Sequence, residues 1–417
     1  MSMDNKVPEI RFKGFSGEWV ENTLSEIANV IDPHPSHRAP DAVDNGVPFI
    51  GIGDISDVGL VDWKNVRIVP SRIYSEHSAR YTIEKGDFAY GRVASVGKII
   101  DLSNNVGCEY TYSPTMAIVK PTSLYPAYLR NYLQTEVFKD HVANKTSGST
   151  RKSLGVQDFR CLPVLFPLKD EQTRIGSFFQ KLDTLINQHQ QKHDKLNNIK
   201  KAMLEKMFPK QGETMPEIRF KGFSGEWVEN TLSEIANVID PHPSHRAPDA
   251  VDNGVPFIGI GDISDVGLVD WKNVRIVPSR IYSEHSARYT IEKGDFAYGR
   301  VASVGKIIDL SNNVGCEYTY SPTMAIVKPT SLYPAYLRNY LQTEVFKDHV
   351  ANKTSGSTRK SLGVQDFRCL PVLFPLKDEQ TRIGSFFQKL DALINQHQQQ
   401  ITKFNNIKQA CLSKMFV

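Results

Sequence analysis

Apolar residues recur at spacings of three and four from Asp170 to Phe208, a segment with no Pro and one Gly, Gly176. Ile175, Leu182, His189, Leu196 and Met203 hold one position of a seven-residue period. Phe178, Leu185, Lys192, Ile199 and Lys206 hold another, three residues later. Such a period predicts a long helix with an apolar seam to cover against a second helix, its polar interruptions fixing register. At ~1.5 Å per residue it would reach about 58 Å, and Pro209 and Gly212 punctuate its end. Earlier the pattern differs. VPFIGIGDI (47–55), VRIVP (66–70), KGDFAYGR (85–92), GKIIDL (97–102), TMAIVKP (115–121) and VLFPL (164–168) read as strands. TLSEIANVI (23–31) reads as a short helix, SLYPAYLRNYLQTEVFKDHVA (123–143) as largely helical, and KTSGSTRKSLGV (145–156) as a polar loop.

The whole series occurs twice. Pro8 to Asp183 returns residue for residue as Pro216 to Asp391, displaced by 208 positions. The copies diverge mainly where QQKHDKLNNIKKAMLEKMF (190–208) becomes QQQITKFNNIKQACLSKMF (398–416), yet the seam survives as Ile383, Leu390, His397, Phe404 and Cys411 with Phe386, Leu393, Gln400, Ile407 and Lys414. The expected fold class is α+β: two mixed α/β domains, residues 1–168 and 216–376, joined by two long helices, 169–208 and 377–417, packed as an antiparallel coiled coil, with a linker at 209–215.

Composition narrows the picture a little. Hydrophobic residues are 40% of the 417 and charged residues 23%, which is ordinary globular chemistry. Fifty Lys and Arg against forty-six Asp and Glu give +4, too mild to require a nucleic-acid partner without a local pattern. Cys108, Cys161, Cys316, Cys369 and Cys411 form no CxxC pair or metal-ligand spacing, and buried free thiols in a reducing compartment are expected. MSMDNKVPEIRF lacks the basic and apolar regions of a signal peptide, and no run of about eighteen apolar residues occurs. A cytoplasmic chain that does not enter a membrane is expected.

The candidate chemistry lies in basic loops. Gly91 to Lys98 evokes a phosphate-binding loop, but five residues separate its glycines instead of four, and Ile99 stands where a magnesium-binding hydroxyl belongs. A hairpin explains the glycines, with Arg92 and Lys98 able to project toward phosphates. In IDPHPSHRAP, the prolines oppose a helical metal-ligand pair, leaving His34, His37 and Arg38 as a DNA-contacting or solvated loop. Lys64, Arg67 and Arg72 flank a turn-rich segment, where a solvated surface competes with groove contact. In KTSGSTRKS, Lys145, Arg151 and Lys152 supply charge and Thr146, Ser147 and Ser149 supply hydroxyls around Gly148, a mixture suited to phosphate oxygens and base edges. The second copy carries the same candidates at His242, His245, Arg246, Lys272, Arg275, Arg280, Arg300, Lys306, Lys353, Thr354, Ser355, Ser357, Arg359 and Lys360. Tyr110, Tyr112, Tyr125, Tyr128 and Tyr132 are expected to pack the domain. No adenine-methyltransferase, GxSxG or His-x-Glu zinc motif is present, and Asp54, Asp57, Asp62 and Asp87 read as turn caps. No catalytic or metal site is expected.

The order of these pieces resembles the DNA-specificity subunit of type I restriction-modification systems. The resemblance is carried by GEWVENTLSEIANVI (17–31), VPFIGIGDI, KGDFAYGRVASVGK (85–98), TSGSTRKSL (146–154) and FPLKDEQTRIGSFFQKLDTLI (166–186), where Glu171, Gln172 and Ile175 match the family's Glu-Gln and following hydrophobe. It implies two target-recognition domains on double-stranded DNA. It also implies spacer helices, including Ile175, Phe178, Leu182, Leu185, Ile383, Phe386, Leu390 and Leu393, that pair and dock two adenine methyltransferase subunits, with restriction and translocation subunits joining for cleavage. S-adenosylmethionine, ATP and magnesium would belong to those partners and none to this chain. Members ordinarily carry two different recognition domains; two identical ones imply an interrupted palindrome as target.

Overall fold

The computed structural model describes residues 6–34, 36, 38–56, 61–148, 152–242, 244, 246–264, 268–356 and 360–417. Two compact units divide the chain: residues 1–190 with 399–417, and residues 191–398. Each unit thus contains one mixed α/β domain, the start of the helix that follows it, and the end of the other long helix.

In unit 1 the first elements are β1 (Val20–Thr23), α1 (Leu24–Ile27), β2 (Ala28–Ile31), β3 (Val47–Ile50), β4 (Arg67–Val69) and α2 (Ser71–Ser78). There follow β5 (Phe88–Gly91), β6 (Ile99–Asp101), β7 (Thr111–Tyr112), β8 (Met116–Pro121), α3 (Pro126–Tyr132), α4 (Glu136–Lys145), α5 (Val156–Arg160), β9 (Pro163–Phe166) and α6 (Lys169–Lys206). The series recurs from β10 (Val228–Thr231) to β18 (Pro371–Phe374) and from α7 (Leu232–Ile235) to α12 (Lys377–Lys414).

Side-chain alternation along the strands builds the core. β2, β8, β5 and β6 form an antiparallel sheet in that order. Phe88, Tyr90, Ala117 and Val119 face one apolar cluster, while the intervening Ala89, Met116 and Ile118 face another. Because both faces are covered, β5 is buried along its length. A second sheet, β4-β3-β7, pairs β3 parallel to β7, and β1 pairs antiparallel with β9.

Local chemistry corrects two sequence expectations. The helix expected over 23–31 stops at Ile27: Thr23 and Glu26 form a capping box at its start, but Ala28 and Val30 alternate inward around exposed Asn29 and so continue as a strand. The helical stretch at 123–143 is two helices; Pro126 starts α3, and the Thr135 side chain accepts from Phe138 N at 3.3 Å to start α4. The thiols are free as expected, but none is buried, and Cys161 and Cys369 are exposed. Among the described residues no helix is long and apolar enough to cross a membrane.

The long helices form over Lys169–Lys206 and Lys377–Lys414, close to the expected spans. Within unit 1 their contacts run in opposite directions: Asp183 pairs with Lys408 at 2.7 Å, Phe179 meets Phe416 at 5.6 Å between ring centres, and His189 meets Phe404 at 5.6 Å. Unit 2 repeats this antiparallel contact through Lys200 and Asp391, 2.7 Å apart, and through Phe208 and Phe387. Ile175, Leu182, Ile383 and Leu390 are buried, Phe178 and Phe386 half-buried, and Leu185 and Leu393 exposed. Phe179, outside the heptad seam, is wholly buried, because the first turns of α6 face the mixed domain as well as the other helix.

Phe416 closes unit 1 by packing against Trp19, Tyr128 and Tyr132, and Phe208 does the same in unit 2 against Trp227, Tyr336 and Tyr340. Replacing Phe416 by Ala is expected to cost about 3 kcal/mol through lost burial and the cavity left behind. Hydrogen exchange should accelerate around Trp19 and Tyr128 and stay unchanged around Trp227 and Tyr336.

Candidate nucleic-acid interface

The return from β5 to β6 is tight enough to explain the glycines that resembled a phosphate loop. A Cβ on Gly91 would lie 2.1 Å from the backbone oxygen of Ser95, so no side chain fits. Gly91 N donates to Lys98 O at 2.7 Å, and Ala94 at the tip holds φ 65°, an uncommon left-handed conformation for a residue with a Cβ. The surrounding loops hold that tip in place: Ala94 N donates to Lys152 O at 3.0 Å, and Leu154 N donates to Arg92 O at 2.8 Å.

Arg92 was expected to reach outward, and it does not. Its side chain is buried, with Nη1 donating to Leu154 O at 2.9 Å, Nη2 to Pro114 O at 2.9 Å and to the Asp32 carboxylate at 3.3 Å. One guanidinium thereby ties the loop at Asp32, the turn before β8 and the loop after α4. Arg300 makes the same bonds in unit 2. Lys98 lies partly buried with Nζ donating to Ile55 O at 2.9 Å, and Lys306 matches it. These residues position the loops.

His34 is also interior, beside Phe49 and His77. His34 Nε2 lies 3.2 Å from Arg38 O, a carbonyl that only accepts, so that nitrogen carries the proton. His34 Nδ1 is then a bare acceptor for His77 Nε2–H at 3.0 Å, and His77 Nδ1 accepts from the Tyr81 hydroxyl at 3.5 Å. One set of neutral tautomers satisfies the whole chain, which pins the loop at Arg38 to α2. His242, His285 and Tyr289 repeat it.

The exposed candidates are Arg38, Lys64, Arg67, Arg72, Lys145, Ser147 and Lys152, and likewise Arg246, Lys272, Arg275, Arg280, Lys353, Ser355 and Lys360. Arg67 Nη1 donates to Pro40 O at 3.0 Å, joining β4 to the loop that carries Arg38, and Arg275 does the same to Pro248 O. Thr146 Oγ1 donates to Val142 O at 2.6 Å, and Thr354 matches it, so these hydroxyls close α4 and its copy. His37, Ser149, Arg151, His245, Ser357 and Arg359 lie outside the described residues. Sequence reading missed Asp32, His77 and Tyr81, whose signal exists only once the loops are folded together. Among the described residues no group of three metal-ligating side chains forms.

The class defined by this fold is a tandem pair of loop-presenting readers, each closed by an antiparallel helix pair. The sequence profile of the type I restriction modification DNA specificity domain matches residues 16–198 and again 224–403, and the chain belongs to that family. It is 22% identical over 400 residues to the putative type I restriction enzyme MjaX specificity subunit of Methanocaldococcus jannaschii, covering 90% of this chain and 88% of that one. Against the type I restriction enzyme EcoBI specificity subunit of Escherichia coli it is 23% identical over 197 residues, which span 46% of this chain and 41% of that subunit. The crystal structure of a type I restriction-modification system S subunit from M. genitalium shares the fold, with a TM-score of 0.59, 14% identity and 99% of both chains covered. The chain is a specificity subunit, the non-catalytic component of such a system.

The histidine chain sets a pH dependence. Burial, then the neighbouring His34 and Arg80, pushes the His77 imidazole down to about 4, and His285 behaves alike. The folded state thus prefers neutral imidazoles that the unfolded chain protonates below about 6.5. Their stabilisation is complete above about pH 6.5 and is lost as pH falls through 4. Thermal melts across that window should show a steeper loss in the natural protein than in a His77→Gln, His285→Gln variant; equal slopes would contradict the arrangement.

Proposed function

We propose that this chain reads double-stranded DNA in the cytoplasm through its two identical loop sets and directs two adenine methyltransferase subunits, which use S-adenosylmethionine, to the site. Restriction and translocation subunits dependent on ATP and magnesium join the same assembly for cleavage. The observation that carries this reading is the presence of two matches to the DNA specificity domain whose exposed loops hold lysine, arginine and hydroxyl side chains. Exposed Leu185 and Leu393 offer apolar footing for the partner subunits on the long helices.

Identical readers bind identical half-sites. The antiparallel helix contact within each unit supports their reading opposite strands, so the proposed target is an interrupted palindrome, in the way dimer symmetry imposes operator symmetry. The chain, expressed with its methyltransferase subunit in a host lacking adenine methylation, is expected to yield one motif of two inverted identical half-sites, each with one modified adenine on opposite strands. Single-molecule sequencing checks this; a direct repeat or asymmetric motif would exclude the two-fold reading, and no modification would exclude the function.

Lys152 and Lys360 are assigned to phosphates. Each phosphate contact contributes about 0.9 to the slope of log affinity against log salt. Replacing both by Ala should therefore flatten the slope for the assembled complex by about 1.8 and weaken binding to target and non-target duplexes alike. An unchanged slope would remove the two lysines from the interface.

A further inference from the structure

Each unit exposes one tryptophan beside a cation. Trp63 is 57% exposed, as is Trp271, whereas Trp19 and Trp227 are buried. The Trp63 indole meets the Tyr110 ring edge-on at 5.4 Å between ring centres; Trp271 and Tyr318 repeat the pair at 5.5 Å. In unit 2 Leu268 is 60% exposed close by in sequence, adding to the apolar surface. Indole is a large apolar surface with one N–H, suited to a contact that is apolar over the ring and polar at its edge.

The backbone there is held. Val61 bridges to Ile55, Asp62 N donates to Asp54 O at 2.7 Å, and Lys98 Nζ fixes Ile55 O from the β5–β6 return. The Asp62 carboxylate accepts from Lys64 N at 3.2 Å, while the Lys64 side chain is exposed. Arg67, four positions beyond Trp63, reaches Pro40 O in the loop that presents Arg38. An indole followed in sequence by exposed Lys64 and Arg67 and tied to the same loop framework fits a polyanion with apolar surfaces between its charges, as a DNA groove has.

We propose that Trp63 and Trp271, each with its adjoining tyrosine, enter a groove of the bound duplex and pack against deoxyribose and base edges, an apolar contact within each basic loop set. This rests on the DNA-reading function proposed above. The lysine beside each indole meets phosphate, and the indole meets what lies between the phosphates.

The two exposed tryptophans carry the acrylamide-accessible fluorescence of the chain, since Trp19 and Trp227 are buried. In the assembly of this chain with its methyltransferase subunit, adding a duplex that carries the mapped motif is expected to shield that fluorescence. A Trp63→Ala, Trp271→Ala double variant should bind about tenfold more weakly, a loss of about 1.4 kcal/mol, with an unchanged salt slope because no charge is removed. Trp63→Phe with Trp271→Phe should recover most of the affinity. A complex that binds the duplex while its tryptophans stay as open to acrylamide as before overturns the inference and leaves the DNA-reading function standing. Full shielding by the methyltransferase subunit before DNA is added also overturns it, by giving the patch to a protein. Failure of the natural assembly to bind the duplex defeats the DNA-reading function and this inference with it.

Discussion

A carboxylate withdrawn from water in the first turn of the long helix anchors each reader. Glu171 is buried, and Arg11 meets it with both forks, Nε to Oε1 and Nη2 to Oε2, each at 2.7 Å. The same guanidinium donates to Gly17 O at 2.6 Å, so the chain preceding β1 is clamped to the root of α6. A buried charge is tolerated only with such pairing, and a helix N-terminus adds favourable potential for an anion. The next residue extends the anchor: Gln172 accepts from Tyr125 N at 3.0 Å and donates to Pro167 O at 2.8 Å. One turn on, Gly176 lets Tyr125 and the Tyr128 amide approach to where a Cβ would lie only 2.6–2.8 Å away. The Glu-Gln pair at the head of the helix is thus a joint. Its stiffness matters because a helix near 57 Å long turns a tilt of about 5° at its root into a displacement of about 5 Å at its end.

How far the sequence discloses this depends on the range of the interactions. The long helices were legible because their signal is periodic and their residues meet neighbours three and four positions away. Strands at 88–91, 99–101 and 116–121 were legible from short apolar runs with turn residues between. The helix at 71–78 was not, since SRIYSEHS offers little more than Ile73 and His77 to the core. Arg92 and His34 looked like outward-facing loop residues because their charge and polarity were visible, whereas the carbonyls of Pro114 and Leu154 that hold Arg92 and the His77 imidazole that meets His34 come from segments 22 to 62 positions away. Phe179 escaped the heptad rule for a related reason: a helix covered on two faces at once has a wider apolar surface than a coiled-coil seam.

The duplication separates what each unit needs from what it tolerates. Over the last half of each long helix the copies differ, yet Phe208 and Phe416, and Lys200 and Lys408, occupy equivalent positions and make equivalent contacts. Changes fall elsewhere, as at Lys192 against Gln400 and Glu205 against Ser413. The end of α6 completes unit 2 and directly precedes it in the chain, whereas unit 1 is completed by the end of α12, some two hundred residues further on. Folding of the first reader is therefore coupled to a segment distant along the chain, a cost in loop-closure entropy that the aromatic cluster around Phe416 offsets.

The near-neutral total charge says little about the interface because many cations are internal to the fold. Arg11, Arg92, Arg130 and Lys120 face carboxylates, and Arg160 donates to Val30 O. Those left exposed, such as Arg38, Lys64 and Lys152, stand on loops that the internal ones fix. Association with a duplex costs entropy for every loop ordered at the interface, and loops already held by Arg92 and by the His34–His77 chain have less freedom to lose. Specificity gains more than affinity does from that rigidity. A flexible basic loop can follow phosphates on any sequence, whereas discrimination between base edges requires donors and acceptors held at fixed positions before the duplex arrives.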